Sequence, residues 1–203
     1  MVVTRGDSIQ VRPCTNGCSA PVRLIAVTAA ELLAASGRFA IRPGLSDTEL
    51  DAVEDEFGFS FADDHRAFLA AGLPYGRGWP DWRDGDRTQL RERLALPVEG
   101  VLFDVAQNDF WYDGWGRRPP SAEAALDAAR AGLLTAPRMI PVYSHRYLPA
   151  GRGTSGHPVL SIYQTDVTVY GADLDDYLFR EFGIGTPGEQ RRPTVSFWSL
   201  LVQ

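Results

Sequence analysis

The chain has 203 residues, 44% of them apolar and 23% charged, with 20 basic and 26 acidic side chains for a formal net charge of −6. This is ordinary globular material within the reach of one hydrophobic core, and no apolar run approaches the roughly 20 residues that a bilayer crossing requires. All 20 basic residues are Arg, which removes the Walker-type phosphate loop, the Schiff-base enzyme and the protein kinase, each built on an ammonium at a fixed place, while the acidic balance argues against a nucleic-acid binder.

Residues 1–27 show no sustained periodicity and read as an irregular arm with one short strand at Ile9–Val11. Arg5 and Asp7 interrupt the N-terminus before an apolar stretch can form, so no secretory leader is read there and a cytoplasmic protein is expected. Cys14 and Cys18 fall in a Pro- and Gly-bearing segment, but His65, His145 and His157 are scattered without ligand spacing. Reduced thiols, no metal and no cofactor are the expectation.

Residues 28–203 read as one α+β domain. Thr28 with Glu31 forms a capping box for a helix through Phe39, and Pro43-Gly44 breaks the chain. Ser46 with Glu49 forms a second box, Leu45 and Leu50 a staple, and Gly58 the stop; a short helix from Asp63 to Ala71 ends at Gly72. Asp86 starts a helix that Pro97 should stop, after which Val101–Val105 reads as a strand. Ser121 caps an Ala/Leu-rich helix to about Leu134, and Met139–Tyr143 reads as a strand. Pro158–Tyr163 and Val167–Tyr170 then alternate like an antiparallel hairpin, Asp173 caps a helix to Phe182, and Phe197–Val202 is an apolar end piece. The expected architecture is helices packed around a small, curved, mainly antiparallel sheet.

Between Asp47 and Asp64 stand eight acidic residues and no basic one. They form either a solvated helix face or an electrostatic docking face for a basic partner, in which Asp47, Asp51, Glu54 and Asp55 would take part. Trp79, Trp82, Trp111 and Trp115 occupy two loop-like segments. They are candidates for a binding surface, or for plugs in the sheet's core.

Other motifs return negatives. Gly151-Arg152-Gly153-Thr154-Ser155-Gly156 spells a dinucleotide fingerprint, but a strand pattern follows it where a helix N-terminus is needed, so it reads as a flexible loop. Asp81, Asp84 and Asp86 cannot be aligned on a calcium loop. Asn108, Asp109, His145, His157 and Asp166 fall at loops or strand ends where a cleft could gather them. A hydrolase-like site of His and Asp, or a small-ligand sensor, stays open as the alternative to a binding module.

Several stretches resemble the SUKH superfamily, which includes a fungal regulator of cell-wall synthesis and many bacterial toxin-immunity proteins. They are Leu50–Leu69, Phe103-Asp104-Val105 with Asn108-Asp109-Phe110-Trp111, Pro141–Pro149 and Pro158–Tyr177, within residues 45–203. The runs His145-Arg146-Tyr147-Leu148-Pro149 and Tyr163-Gln164-Thr165-Asp166 look most like the bacterial branch. The resemblance implies a protein that binds, and often neutralises, a partner protein such as a basic toxin, with no nucleic acid or membrane involved. It carries over no catalytic residue, and the arm before Ser46 has no match in the family pattern.

Overall fold

The structure, a computed structural model, describes residues 29–188 and 195–202. The N-terminal strand expected at Ile9–Val11, the cap at Thr28, and Cys14 and Cys18 lie outside the described residues.

Helix α1, residues 29–35, ends sooner than the expected Phe39, because the chain turns at Gly37 with φ +64° and enters a strand. That strand, β1 (Ala40–Arg42), pairs antiparallel with β2 (Leu73–Tyr75). Between them lie α2 (Asp47–Phe57) and α3 (Asp63–Ala71). Helix α2 starts at the expected capping box: Ser46 Oγ accepts from Glu49 N, and the Glu49 carboxylate accepts from Ser46 N at 2.8 Å. It stops at left-handed Gly58, while α3 stops at Gly72, whose backbone is extended as it feeds β2.

Helix α4 (Arg87–Gln107) corrects the expected strand at Val101–Val105, since it runs for 21 residues straight through Pro97. Leu90, Leu94, Pro97, Val101 and Val105 are buried at helical spacing, and that stripe outweighs the β preference of the valines. Pro97 cannot donate to the Arg93 carbonyl, which is left facing the sheet. The Tyr147 hydroxyl turns to that carbonyl at 3.4 Å, a long contact at the one backbone oxygen the proline releases.

Helix α5 (Ala122–Leu133) begins at Ser121 as expected. A four-stranded antiparallel meander follows: β3 (Met139–Tyr143), β4 (Arg146–Pro149), β5 (Val159–Tyr163) and β6 (Asp166–Gly171). Helix α6 (Leu174–Phe182) is capped by Asp173, closed by left-handed Gly183, and seats its Tyr177 against Gly171 of β6. Both faces of the meander are covered. Ile140, Val142, Leu148 and Val159 face a core shared with α1–α3 and α6, while Met139, Tyr147, Leu160 and Ile162 face a core shared with α5 and the second half of α4. The chain is therefore an α+β domain with two small open sheets, and no helix among the described residues is long and apolar enough to cross a membrane.

Candidate functional site

The β3–β4 and β5–β6 hairpins each turn through two residues, Ser144-His145 and Gln164-Thr165. Ser144 and Gln164 hold φ of +48° and +56°, a region usually left to glycine. Such strain persists only where the surroundings impose it. At Gln164 they do: a Cβ added to Gly100 of α4 would stand 2.8 Å from the Gln164 Cα, so the turn lies directly on the helix backbone. One turn further on, buried Asp104 accepts from Thr165 N at 2.9 Å and from Thr165 Oγ1 at 2.6 Å. Gly100→Ala is expected to lower stability by about 1–3 kcal/mol and to displace the amide resonances of Gln164 and Thr165, read by urea unfolding and by NMR.

Two neighbouring hollows open beside this turn. The larger, about 650 Å³, is walled by Arg93, Leu96, His145, Tyr147, Ile162 and Tyr163. The second, about 480 Å³, is walled by Asp104, Asn108, Phe110, Thr165 and Asp166, and Tyr163 and Gln164 border both. Of the family-like residues Asn108, Asp109, His145, Arg146, Tyr147, Gln164 and Asp166, five are thus gathered here: Asn108, His145, Tyr147, Gln164 and Asp166.

The other two stand elsewhere. Arg146 points to the opposite face of the sheet, where its Nε donates to Glu181 at 3.0 Å and its guanidinium lies 3.8 Å from the Tyr170 ring centroid. Asp109 is exposed and paired with Arg118.

The His and Asp constellation is divided. His145 lines the larger hollow, and Asn108 and Asp166 line the second. The His145 side chain's one hydrogen-bond partner among the described residues is Ser144 Oγ, 3.2 Å from Nδ1. Burial and the neighbouring Arg146 lower the His145 pKa against the opposing pull of Glu181, which favours neutral imidazole at neutral pH. A serine beside an imidazole that no third group orients lacks the relay of an activated nucleophile. Among the described residues no three His, Cys, Asp or Glu side chains are grouped to hold a metal. His65 is a core residue, fully buried, and burial holds its pKa down to about 3.

The acidic run is largely committed within the chain. Arg66 donates to Asp51 at 2.9 Å, to Glu54 at 2.9 Å and to Asp47 at 3.2 Å, and Arg152 reaches Glu54 as well. Glu49 binds Arg83, Glu56 binds Arg87 and Arg91, and Asp63 and Asp64 accept from Gly153 N and Gly156 N. Only Asp55 of the eight lacks such a partner among the described residues. The uniformly negative face expected from the linear run is therefore replaced by a network in which arginines from other elements meet the carboxylates. By the same contacts the Gly-rich loop, expected to be flexible, is fastened to the start of α3, with Asp63 N also donating to Thr154 O at 2.7 Å.

Among the tryptophans, Trp79 and Trp82 are 6% and 0% exposed, and belong to the core rather than to a surface. Trp111 and Trp115 are half-buried; Trp115 lies over Gly132 of α5 and stacks on Phe197, ring centroids 5.7 Å apart.

Sequence reasoning missed Arg93, Leu96 and Gly100 as site residues and gave Tyr163 only as the first residue of a family-like run. Reading 87–107 as one helix would have placed Leu96, Gly100, Phe103 and Gln107 on one face. No family model matches the chain, and no match was found among the curated proteins or the solved structures.

Proposed function

We propose that this chain is a cytoplasmic protein-binding module of the SUKH type, one that neutralises or regulates a partner protein by direct association. The observation that carries the reading is an apolar strip beside the hollows: Leu96, Phe103 and Tyr163 are 56%, 50% and 69% exposed. Leu96 and Phe103 flank Gly100 on one helix face, and Tyr163 stands at the turn seated on Gly100. Large apolar side chains on rigid, hydrogen-bonded elements bind without paying much ordering entropy, and aromatic anchors dominate such interfaces. The acidic run offers less support for a basic partner than its linear charge suggests, because its carboxylates already meet arginines. A toxin that presents an apolar patch fits this surface better than one chosen by positive charge alone.

The test compares three tagged chains in lysate of the source organism: the wild type, Leu96→Ser/Tyr163→Ser, and Asp55→Arg. A protein retained in equimolar amount by wild type and Asp55→Arg, and lost with the double variant at unchanged melting temperature, supports the strip. Equal retention by the double variant rules the strip out, and loss confined to Asp55→Arg returns the interface to the acidic helix.

A further inference from the structure

The guanidinium of Arg93 lines the larger hollow. Its Nη2 donates to two neutral acceptors, the carbonyls of Gly78 at 2.7 Å and Ser144 at 3.3 Å. No carboxylate among the described residues pairs with it, although ten other arginines among them make such pairs. Burial depresses its pKa, against a smaller opposing pull from Tyr147. A partly desolvated cation held by two backbone carbonyls is a costly arrangement unless an anion reaches it, and a guanidinium fork suits a carboxylate.

The surroundings limit what that anion can be. The volume, about 650 Å³, is in the range of small-molecule sites, and Leu96, Ile162 and Tyr163 supply apolar walls. Glu99 stands exposed on the rim and disfavours a second negative charge on the ligand. Neutral His145 and Gln164 complete the lining without adding a cation.

We propose that this hollow is a binding site for an organic monocarboxylate with an apolar body, the carboxylate paired with Arg93 and the body lying against Leu96, Ile162 and Tyr163. The hollow shares Leu96 and Tyr163 with the strip, but the pairing with Arg93 lies inside it and stands whether or not the strip engages a protein. The same chemistry is presented by a free small acid and by the C-terminal carboxylate of a partner chain ending in an apolar residue.

The experiment is an NMR titration of the full chain with phenylacetate and with its neutral isostere phenylacetamide, together with a tetrapeptide ending in Leu, with free and with amidated carboxyl terminus. Saturable shifts confined to the amides of Gly100, His145, Tyr163 and Gln164 are expected for an acid, with its amide at least about 10-fold weaker. Arg93→Met should abolish the acid's advantage, and Tyr163→Ser should weaken binding in a chain that stays folded. Should Arg93→Met fail to fold, the acid and amide comparison on the native chain decides alone. Tighter binding of phenylacetate assigns the source to a free acid; tighter binding of the free-carboxyl peptide assigns it to a chain terminus. Acid and amide binding alike, or no saturable shift with either acid, overturns the proposal.

Discussion

Glu54→Ala is expected to destabilise the fold by about 3–5 kcal/mol, the range for breaking a buried, hydrogen-bonded charge. Glu54 is 5% exposed, and its Oε1 accepts from Phe61 N at 2.8 Å. Its Oε2 accepts from Arg66 and from Arg152. The one side chain therefore ties the end of α2 to the α2–α3 connection, to α3 through Arg66, and to the Gly-rich loop through Arg152. Truncation would orphan a buried backbone N–H and leave Arg66, 16% exposed at its side chain, with only the exposed Asp47 and Asp51. Asp55→Ala, one residue on but facing solvent, should stay within about 0.5 kcal/mol, as surface substitutions do. Urea unfolding of the two variants checks this. Similar midpoints for both would mean that the acidic run is a solvated face rather than a clasp.

That clasp also shows where the sequence can be read and where it cannot. Caps are local, so Ser46 with Glu49, Asp86, Ser121, Asp173 and the stops at Gly58 and Gly183 mark their helices as the residues suggest. Charge partners are not local. Arg66 lies just beyond the acidic run, but Arg83, Arg87, Arg91 and Arg152 reach it from elsewhere in the chain. A linear count of eight acids and no base cannot include them.

The same limit governs α4. Pro97 is a stop signal wherever its neighbours are unknown, and Val101–Val105 has strand composition; only the covered stripe from Leu90 to Val105 keeps the helix continuous. Strand β4 was hidden because the Ser144-His145 turn contains no Gly or Asn to announce it. The site followed from that loss. His145, Gln164 and Asp166 were legible as members of family-like runs, whereas Arg93, Leu96 and Gly100 gain meaning only once α4 passes beneath the β5–β6 turn.

Trp82→Ala is expected to cost about 3–5 kcal/mol, whereas Trp82→Phe should cost less than about 2 kcal/mol. Trp82 is fully buried, with the rings of Phe57, Phe59 and Phe61 at centroid distances of 5.9, 5.9 and 5.5 Å. Its indole N–H has no acceptor among the described residues, so the side chain contributes through packing and edge-to-face contact rather than through a hydrogen bond. Phenylalanine retains most of that contact and removes an unsatisfied donor; alanine opens a cavity between α2 and the segment leading to α3. Urea unfolding monitored by far-UV circular dichroism separates the two. If Phe proved as damaging as Ala, the indole N–H would have to be satisfied in solution, and Trp82 would anchor the fold through a polar contact instead of through its ring.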